Sequence, residues 1–411
     1  MRQDVMNFAM HSTNHVQYCL GVVYNMKFNS IEEDDFYEMQ TKTEIVPDEE
    51  LWFYDIEIFP NLLIVAFKKY GSKTKMIWYN PTPAQIEELI KRPLVGFNNR
   101  GYDNHLIYSA LMGASNLKLY HQSKDIVESG RGGSGKIGAA YELSYADIYE
   151  YNSTKQSLKK WEIELGIKHD ELEFPWDQPL PEEQWERAGE YCANDVDATE
   201  ELFKATYYDY KARLILSSLT GLSVNATTQQ QAAQWLFGQD KRPQDKFVYT
   251  DLATIFPGYK YEFGKSTYMD EDPSEGGLVR HKTGVWKDVE LFDVASMHPH
   301  AAKALNYFGP YQDRFNQLID ARIAVKHHDF ELAATYFDGA LKPYLTEEDA
   351  DDLAYALKII INIVYGMTSA KFDNKFRHPK NVDNIVAKYG ALFMITLKNE
   401  LEKMGVEWVH I

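Results

Sequence analysis

From Leu51 onward the period of the apolar positions changes several times along the chain. LWFYDIEI (51–58), NLLIVAF (61–67) and KMIWYN (75–80) are apolar blocks of strand length, rich in β-branched and aromatic residues. TPAQIEELIKR (82–92) switches to a helical period, PLVGF (93–97) returns to a strand, and YDNHLIYSALMG (102–113) is helical again. A strand pair around AYELSYADIYEY (140–151) and a helix from about 181 to 203 complete an α/β pattern over residues 51–205. Residues 1–50 have weak periodicity and an acidic run, IEEDDF, and are expected to form an N-terminal extension packed on this α/β domain. Residues 206–275 mix helix with loop and are expected to link two modules. Beyond them the pattern predicts a hairpin over 276–295, two long antiparallel helices over 310–337 and 346–369, and a last strand, VEWVHI. Thr346 with Asp349 three residues on resembles a capping box at the start of the second helix.

At 411 residues the chain is long enough for two or three domains, each with its own core. Hydrophobic residues at 45% and charged residues at 25% are globular values, and no apolar run approaches the ~18 residues of a membrane span. The first fifteen residues lack the apolar core of a signal peptide, and the two cysteines, Cys19 and Cys192, point to a reducing, cytoplasmic setting without structural disulfides. The formal net charge of −18 argues against nonspecific polyanion binding. It is compatible with a nucleic-acid enzyme, because a site that holds divalent metal on carboxylates is itself acidic.

The carboxylates change the picture most. Asp55 and Glu57 stand two residues apart on one strand, so both project from the same face. Two adjacent carboxylates repel unless a cation neutralises them, and oxygen donors suit a hard ion such as Mg²⁺. Alone, the pair also describes an exposed strand surface. Asp103, in GFNNRGYDNH, falls where a strand gives way to a helix and could equally be a helix-start residue. In GEYCANDVDATEEL, Tyr191 and Asp195 are i and i+4 on one helix face, and Asp197 lies off that face. GRGGSGKIG (130–138) fits Gly-x4-Gly-Lys, but Ile137 stands where a P-loop needs Ser or Thr, so a flexible hairpin loop is expected there.

Taken in order, these elements resemble the three exonuclease motifs of the DEDD superfamily in its tyrosine-bearing form: Asp-x-Glu, Asn…Tyr-Asp and Tyr-x-x-x-Asp. The resemblance implies a ribonuclease H-like domain in which Asp55, Glu57, Asp103 and Asp195 hold two Mg²⁺ or Mn²⁺ ions ~4 Å apart for 3′ to 5′ cleavage of DNA. It further implies that Tyr191 orients the attacking water and that Asn98 contacts the DNA strand or braces the site.

VELFDVASMHPHA (289–301) resembles the first palm motif of phage-type family B DNA polymerases, with Asp293 as the metal-binding carboxylate and Ser296 in the turn after it. His298 occupies the position of the family's sugar-contacting Tyr. The upstream Gly276-Gly277 resembles the family's linker motif, and YALKIIINIVYG resembles Lys-x3-Asn-Ser-x-Tyr-Gly, with Ile363 in place of the Ser. Lys358, Asn362 and Tyr365 fall on one helical stripe, and Arg322 and Lys326 are i and i+4 on the partner helix. The three cations suit the triphosphate of a dNTP. The resemblance divides the second module into palm (276–309), fingers (310–370) and palm again (371–411), in the cytoplasm of a bacterial or phage-infected cell. It also implies a third palm motif with a further Asp beyond residue 411. A truncated chain or a second polypeptide carrying the rest of the palm and the thumb is therefore expected, and no primer extension by these residues alone. The alternatives are a non-catalytic DNA-binding replication scaffold and a stand-alone 3′ to 5′ exonuclease.

Overall fold

The two longest apolar blocks, separated only by the turn Pro60-Asn61, fold back on each other as β1 (Trp52–Phe59) and β2 (Leu62–Lys69), in antiparallel register from Trp52–Lys69 to Phe59–Leu62. They belong to a computed structural model that describes residues 45–130, 133–168, 170–274, 278–291, 294 and 296–410. β3 (Met76–Tyr79) pairs antiparallel with β2. On the other side of β1, β4 (Leu94–Gly96) and β5 (Ala146–Asp147) add in parallel, giving the order β3-β2-β1-β4-β5. Parallel neighbours need crossovers, and helices supply them. α1 (Pro83–Ile90) runs between β3 and β4, started by a Thr82/Gln85 capping box with Pro83 in its first turn. α2 (Asp103–Leu111) and α3 (Asn116–Ser129) run between β4 and β5.

After the short α4 (Ile148–Tyr151) and α5 (Leu158–Leu165), α6 (Trp185–Ala205) crosses β1, β2 and β3, while α3 lies against β1 and β2. β2 is thus covered on both faces, which explains why Leu62 to Phe67 is an unbroken buried apolar run. β1 alternates instead. Phe53 and Phe59 enter the core beneath α6, where Phe53 meets Phe203 edge-on at 5.3 Å, and Tyr54 points the other way to donate to Asn104 Oδ1 at 2.5 Å. Asp55 and Glu57 share the parity of Phe53, so they face α6. A Cβ at Gly189 of α6 would overlap the Tyr79 hydroxyl of β3, so glycine there lets the helix sit close to the sheet.

A second, helical core gathers around α12 (Ala350–Thr368), which packs on α7 (Tyr207–Thr220), α8 (Thr228–Phe237) and α10 (Gln312–Lys326). α9 (Met297–Ala304), α11 (Phe330–Ala333) and α13 (Ile385–Lys403) complete it. Leu216, Trp235 and Phe247, from the stretch expected to link two modules, lie in this core. α7 serves both cores: Tyr210 is buried in the first, and Ala212, Ile215 and Leu216 are buried in the second.

The α/β reading holds, with a mixed five-stranded sheet. Several expected elements differ. Residues 140–151 form a 3-10 turn (Gly138–Glu142), the two-residue β5 and α4 instead of a strand pair, because the Asp147 carboxylate accepts the Tyr149 N–H and starts a helix. Among its described residues the 130–138 loop shows no hairpin pairing: Gly130 follows directly on α3, and the Ile137 N–H is held by His105 Nδ1 at 2.9 Å. The hairpin expected over 276–295 does not form among its described residues. They pair only at a bridge between His281 and His410, with Lys282 N–H donating to the Val409 carbonyl at 2.9 Å, and VEWVHI makes no other pairing among its described residues. A ladder this short has too few hydrogen bonds to define strands. The first long helix stops at Lys326, before His328 with φ 56°, and the helix α13 is not among those the pattern predicts. The Thr346 hydroxyl accepts the Asp349 N–H at 3.1 Å and donates to its carboxylate at 2.9 Å, but α12 starts only at Ala350, so the pair closes a turn ahead of the helix and is not the expected capping box. His328 at the end of α10 pairs with Glu347 before α12 at 2.8 Å, as in an antiparallel helix pair. Among the described residues no helix is long and apolar enough to cross a membrane.

Candidate active site

Three elements carry acids to one place. β1 presents Asp55 and Glu57 toward α6, α6 presents Asp195 one turn after Tyr191, and α2 begins with Asp103. Asp55, Glu57 and Asp195 each offer an oxygen, all within 4.8 Å of one another. Asp103 falls outside that tight group but lines the same cleft, a space of about 560 Å³ that Asn98, Tyr102, Tyr149 and Ser157 also border.

Crowding acids into a partly dry wall makes their ionisation difficult. Burial pushes Glu57 up to about 8, with the charges of Asp195 and Asp103 adding to it. Asp195 rises to about 7 through burial and then Glu162. Asp103 also rises to about 7, through burial first, with Asp147 adding to it and its own backbone N–H opposing. Asp55 is raised by burial and then by Asp103, Asp195 and Glu57, against a weak thiol contact from Cys192 at 3.7 Å. The cation that lowers Glu57 and Asp195 is Lys159 of α5, which also pairs with Glu171 at 2.9 Å. A set of hard oxygen donors held near neutrality by burial first and by neighbouring negative charge second fits a divalent ion such as Mg²⁺ or Mn²⁺. Asp55, Glu57 and Asp195 are the residues that would hold it, with Asp103 on the same wall.

Tyr191 is 7% exposed, and burial followed by Asp195, Glu57 and Asp55 drives its phenol upward, so it keeps its proton. Asn98 sits in the left-handed region at φ 59°, its N–H donating to Asp147 Oδ1 at 2.8 Å, while the Arg100 N–H donates to Oδ2 at 3.0 Å. Buried Asp147 therefore shapes the loop that sets Asn98 on the cleft. Its signal in the sequence was an acid followed three residues later by Glu150, a helix-start pattern inside a stretch read as strand. Lys159 and the aromatic pair Phe97–Tyr149, edge-to-face at 5.6 Å, carried no such signal, because only the fold brings the lysine's charge to bear on Glu57 and Asp195 and the two rings to the cleft. Asp197 is away from the cleft, paired with Lys68 at 2.7 Å and Lys75 at 2.6 Å.

In the helical core, Ser296 precedes α9 at φ 51° and His298 lies in its first turn. The His298 ring stacks on Tyr365 of α12 with centroids 4.0 Å apart and 2° between planes. Gly390 of α13 leaves room for this stack: a Cβ there would come within 2.9 Å of Met297 Sδ and 3.8 Å of His298 Nδ1. Lys358 and Asn362 are exposed on α12, while on α10 Lys326 is exposed and Arg322 half-buried, its Nε buried without a partner. Asp293, Gly276 and Gly277 lie outside the described residues. No protein-family model and no curated protein matches this chain.

Proposed function

We propose that this chain is the exonuclease-bearing part of a family B DNA polymerase: a ribonuclease H-like module that removes nucleotides from a DNA 3′ end, joined to a helical module that binds a dNTP. The observation that carries the reading is the convergence of Asp55, Glu57 and Asp195 within 4.8 Å on a cleft that Asp103 and Asn98 also line. Mg²⁺ or Mn²⁺ bound by these carboxylates supplies Lewis-acid stabilisation of the charge that develops on the scissile phosphodiester. Tyr191, kept protonated, donates a hydrogen bond that orients water; it does not act as the base. Phe97 and Tyr149 offer flat apolar surface to an unpaired terminal base, and Lys159 moderates the negative field that a DNA strand must enter. On α12, Lys358 and Asn362 extend a polar stripe from the stacked Tyr365 and His298, and Arg322 and Lys326 on the adjoining α10 add positive charge for a triphosphate.

The test is degradation of a 5′-labelled single-stranded oligonucleotide with Mg²⁺ or Mn²⁺. Mononucleotides should be released from the 3′ end, and Asp55→Ala and Asp195→Ala should abolish release while melting as cooperatively as the parent. Full activity in Asp55→Ala would overturn the assignment.

A further inference from the structure

A single buried carboxylate joins the two sites. Asp209, on α7 and 7% exposed, uses Oδ2 to accept both the N–H and the hydroxyl of Ser153, each at 3.0 Å. Its Oδ1 accepts the hydroxyl of Tyr355 at 2.6 Å. Ser153 opens the short segment that reaches the cleft at Gln156, Ser157 and Leu158 and continues into α5, which carries Lys159. Tyr355 lies on the same helix as the residues proposed to bind nucleotide and precedes them, outside that binding set. Residues 355, 358, 362 and 365 are spaced by three, four and three, so they fall on one face of α12, with Tyr355 one turn before Lys358.

The first turn of α12 is tied to α7 as well. Tyr208 donates to the Asp351 carbonyl at 3.1 Å and packs its ring on Tyr355 at 4.6 Å, and Lys211 pairs with Asp352 at 3.0 Å. Any displacement of Tyr355 relative to α7 would strain its bond to Asp209. Asp209 cannot shift without disturbing both donors of Ser153, because a buried carboxylate that loses a partner stays unsatisfied.

We propose that Asp209 is a positioning residue that couples nucleotide occupancy of the α12 stripe to strand binding in the carboxylate cleft. The coupling rests on the proposed nuclease and nucleotide-binding functions of the two sites. Coupling between two binding sites is reciprocal: if nucleotide changes strand affinity by some factor, the strand changes nucleotide affinity by the same factor.

The experiment measures both affinities on the whole chain with Ca²⁺ replacing Mg²⁺ so that hydrolysis does not intervene. The probes are a fluorescent single-stranded oligonucleotide without template and a single dNTP, each titrated with and without the other. The expected result is equal reciprocal factors of at least about fivefold in the parent. In Tyr355→Phe, which removes the Asp209 bond and keeps the ring, the factor should fall to about one, with each separate affinity changed less than about twofold. Hydrogen exchange across 152–158 should respond to dNTP in the parent and not in Tyr355→Phe, a readout that a merely structural hydroxyl would not move. Binding of both ligands with no mutual effect, or an undiminished factor in Tyr355→Phe, overturns the coupling and leaves the functional reading standing. Failure of either ligand to bind the parent overturns both.

Discussion

Glu57 illustrates how a cluster of acids stores a demand for positive charge. Without a cation it is pushed up to about 8, and Asp195 and Asp103 each to about 7, whereas in an unfolded chain all three titrate near ~4. Their folded values are raised. The stability they contribute is therefore complete below ~pH 4 and is lost as pH rises through about 7 to 8, when the fold must hold charges that the unfolded chain holds freely. The thermal midpoint of the chelated protein should fall between about pH 5 and pH 8 relative to Asp195→Asn, and Mg²⁺ should restore it at the upper end, where it replaces bound protons. Midpoints of parent and variant that track each other across this range would contradict the cluster. Asp197 is no substitute for Asp195: two residues along a helix is ~200° of rotation, and Asp197 is already engaged by Lys68 and Lys75. Loss of Asp195 should go unrescued by Asp197.

At the scale of the element, the site depends on how closely α6 lies on the sheet. Gly189→Ala sets a methyl against the Tyr79 hydroxyl and should destabilise the fold by ~1–3 kcal/mol in denaturant melts. Tyr79→Phe should recover part of that loss, and additive losses in the double variant would show that the contact is not the cause. On α12, Lys358→Ala should weaken dNTP binding by ~1.5–3 kcal/mol, roughly tenfold to a hundredfold, read by fluorescence titration; an unchanged affinity would remove the stripe from nucleotide binding. The elements that were legible in the sequence were those whose burial is complete within their own neighbourhood. β1 to β4 read clearly because one set of helices covers them, and the spacings of Asp55 with Glu57 and of Tyr191 with Asp195 needed only the periods of strand and helix. The alternating residues of 278–291 and 406–410 promised strands too, yet a strand is specified by its neighbours, and the backbone pairing between these segments is confined to the bridge at His281 and His410 and the adjoining Lys282 N–H to Val409 bond. Asp147 and Asp209 went unread for a related reason: each gains its meaning from backbone or side-chain donors 47 to 146 residues distant in sequence.

Across the whole molecule, the boundary suggested by pattern and the boundary drawn by packing differ. Pattern ends the first module near residue 205, whereas its core still needs Tyr210, fully buried against Phe203 at 4.8 Å and Tyr151 at 5.7 Å. A fragment of residues 45–226 should therefore melt cooperatively, while 45–205 should lose ~3–5 kcal/mol or more with the missing aromatic ring and aggregate. Equal melting of the two fragments would show that α7 is dispensable to the first core. Because α7 turns its opposite side, with Ala212, Ile215 and Leu216, into the helical core, it behaves as a party wall: neither dwelling can be demolished without opening the other to the weather. Genetic exchange that transplants the first module into a foreign chain would have to carry this helix along and find a recipient able to cover its far side. That requirement favours inheritance of the two halves as a pair over their trade as separate parts.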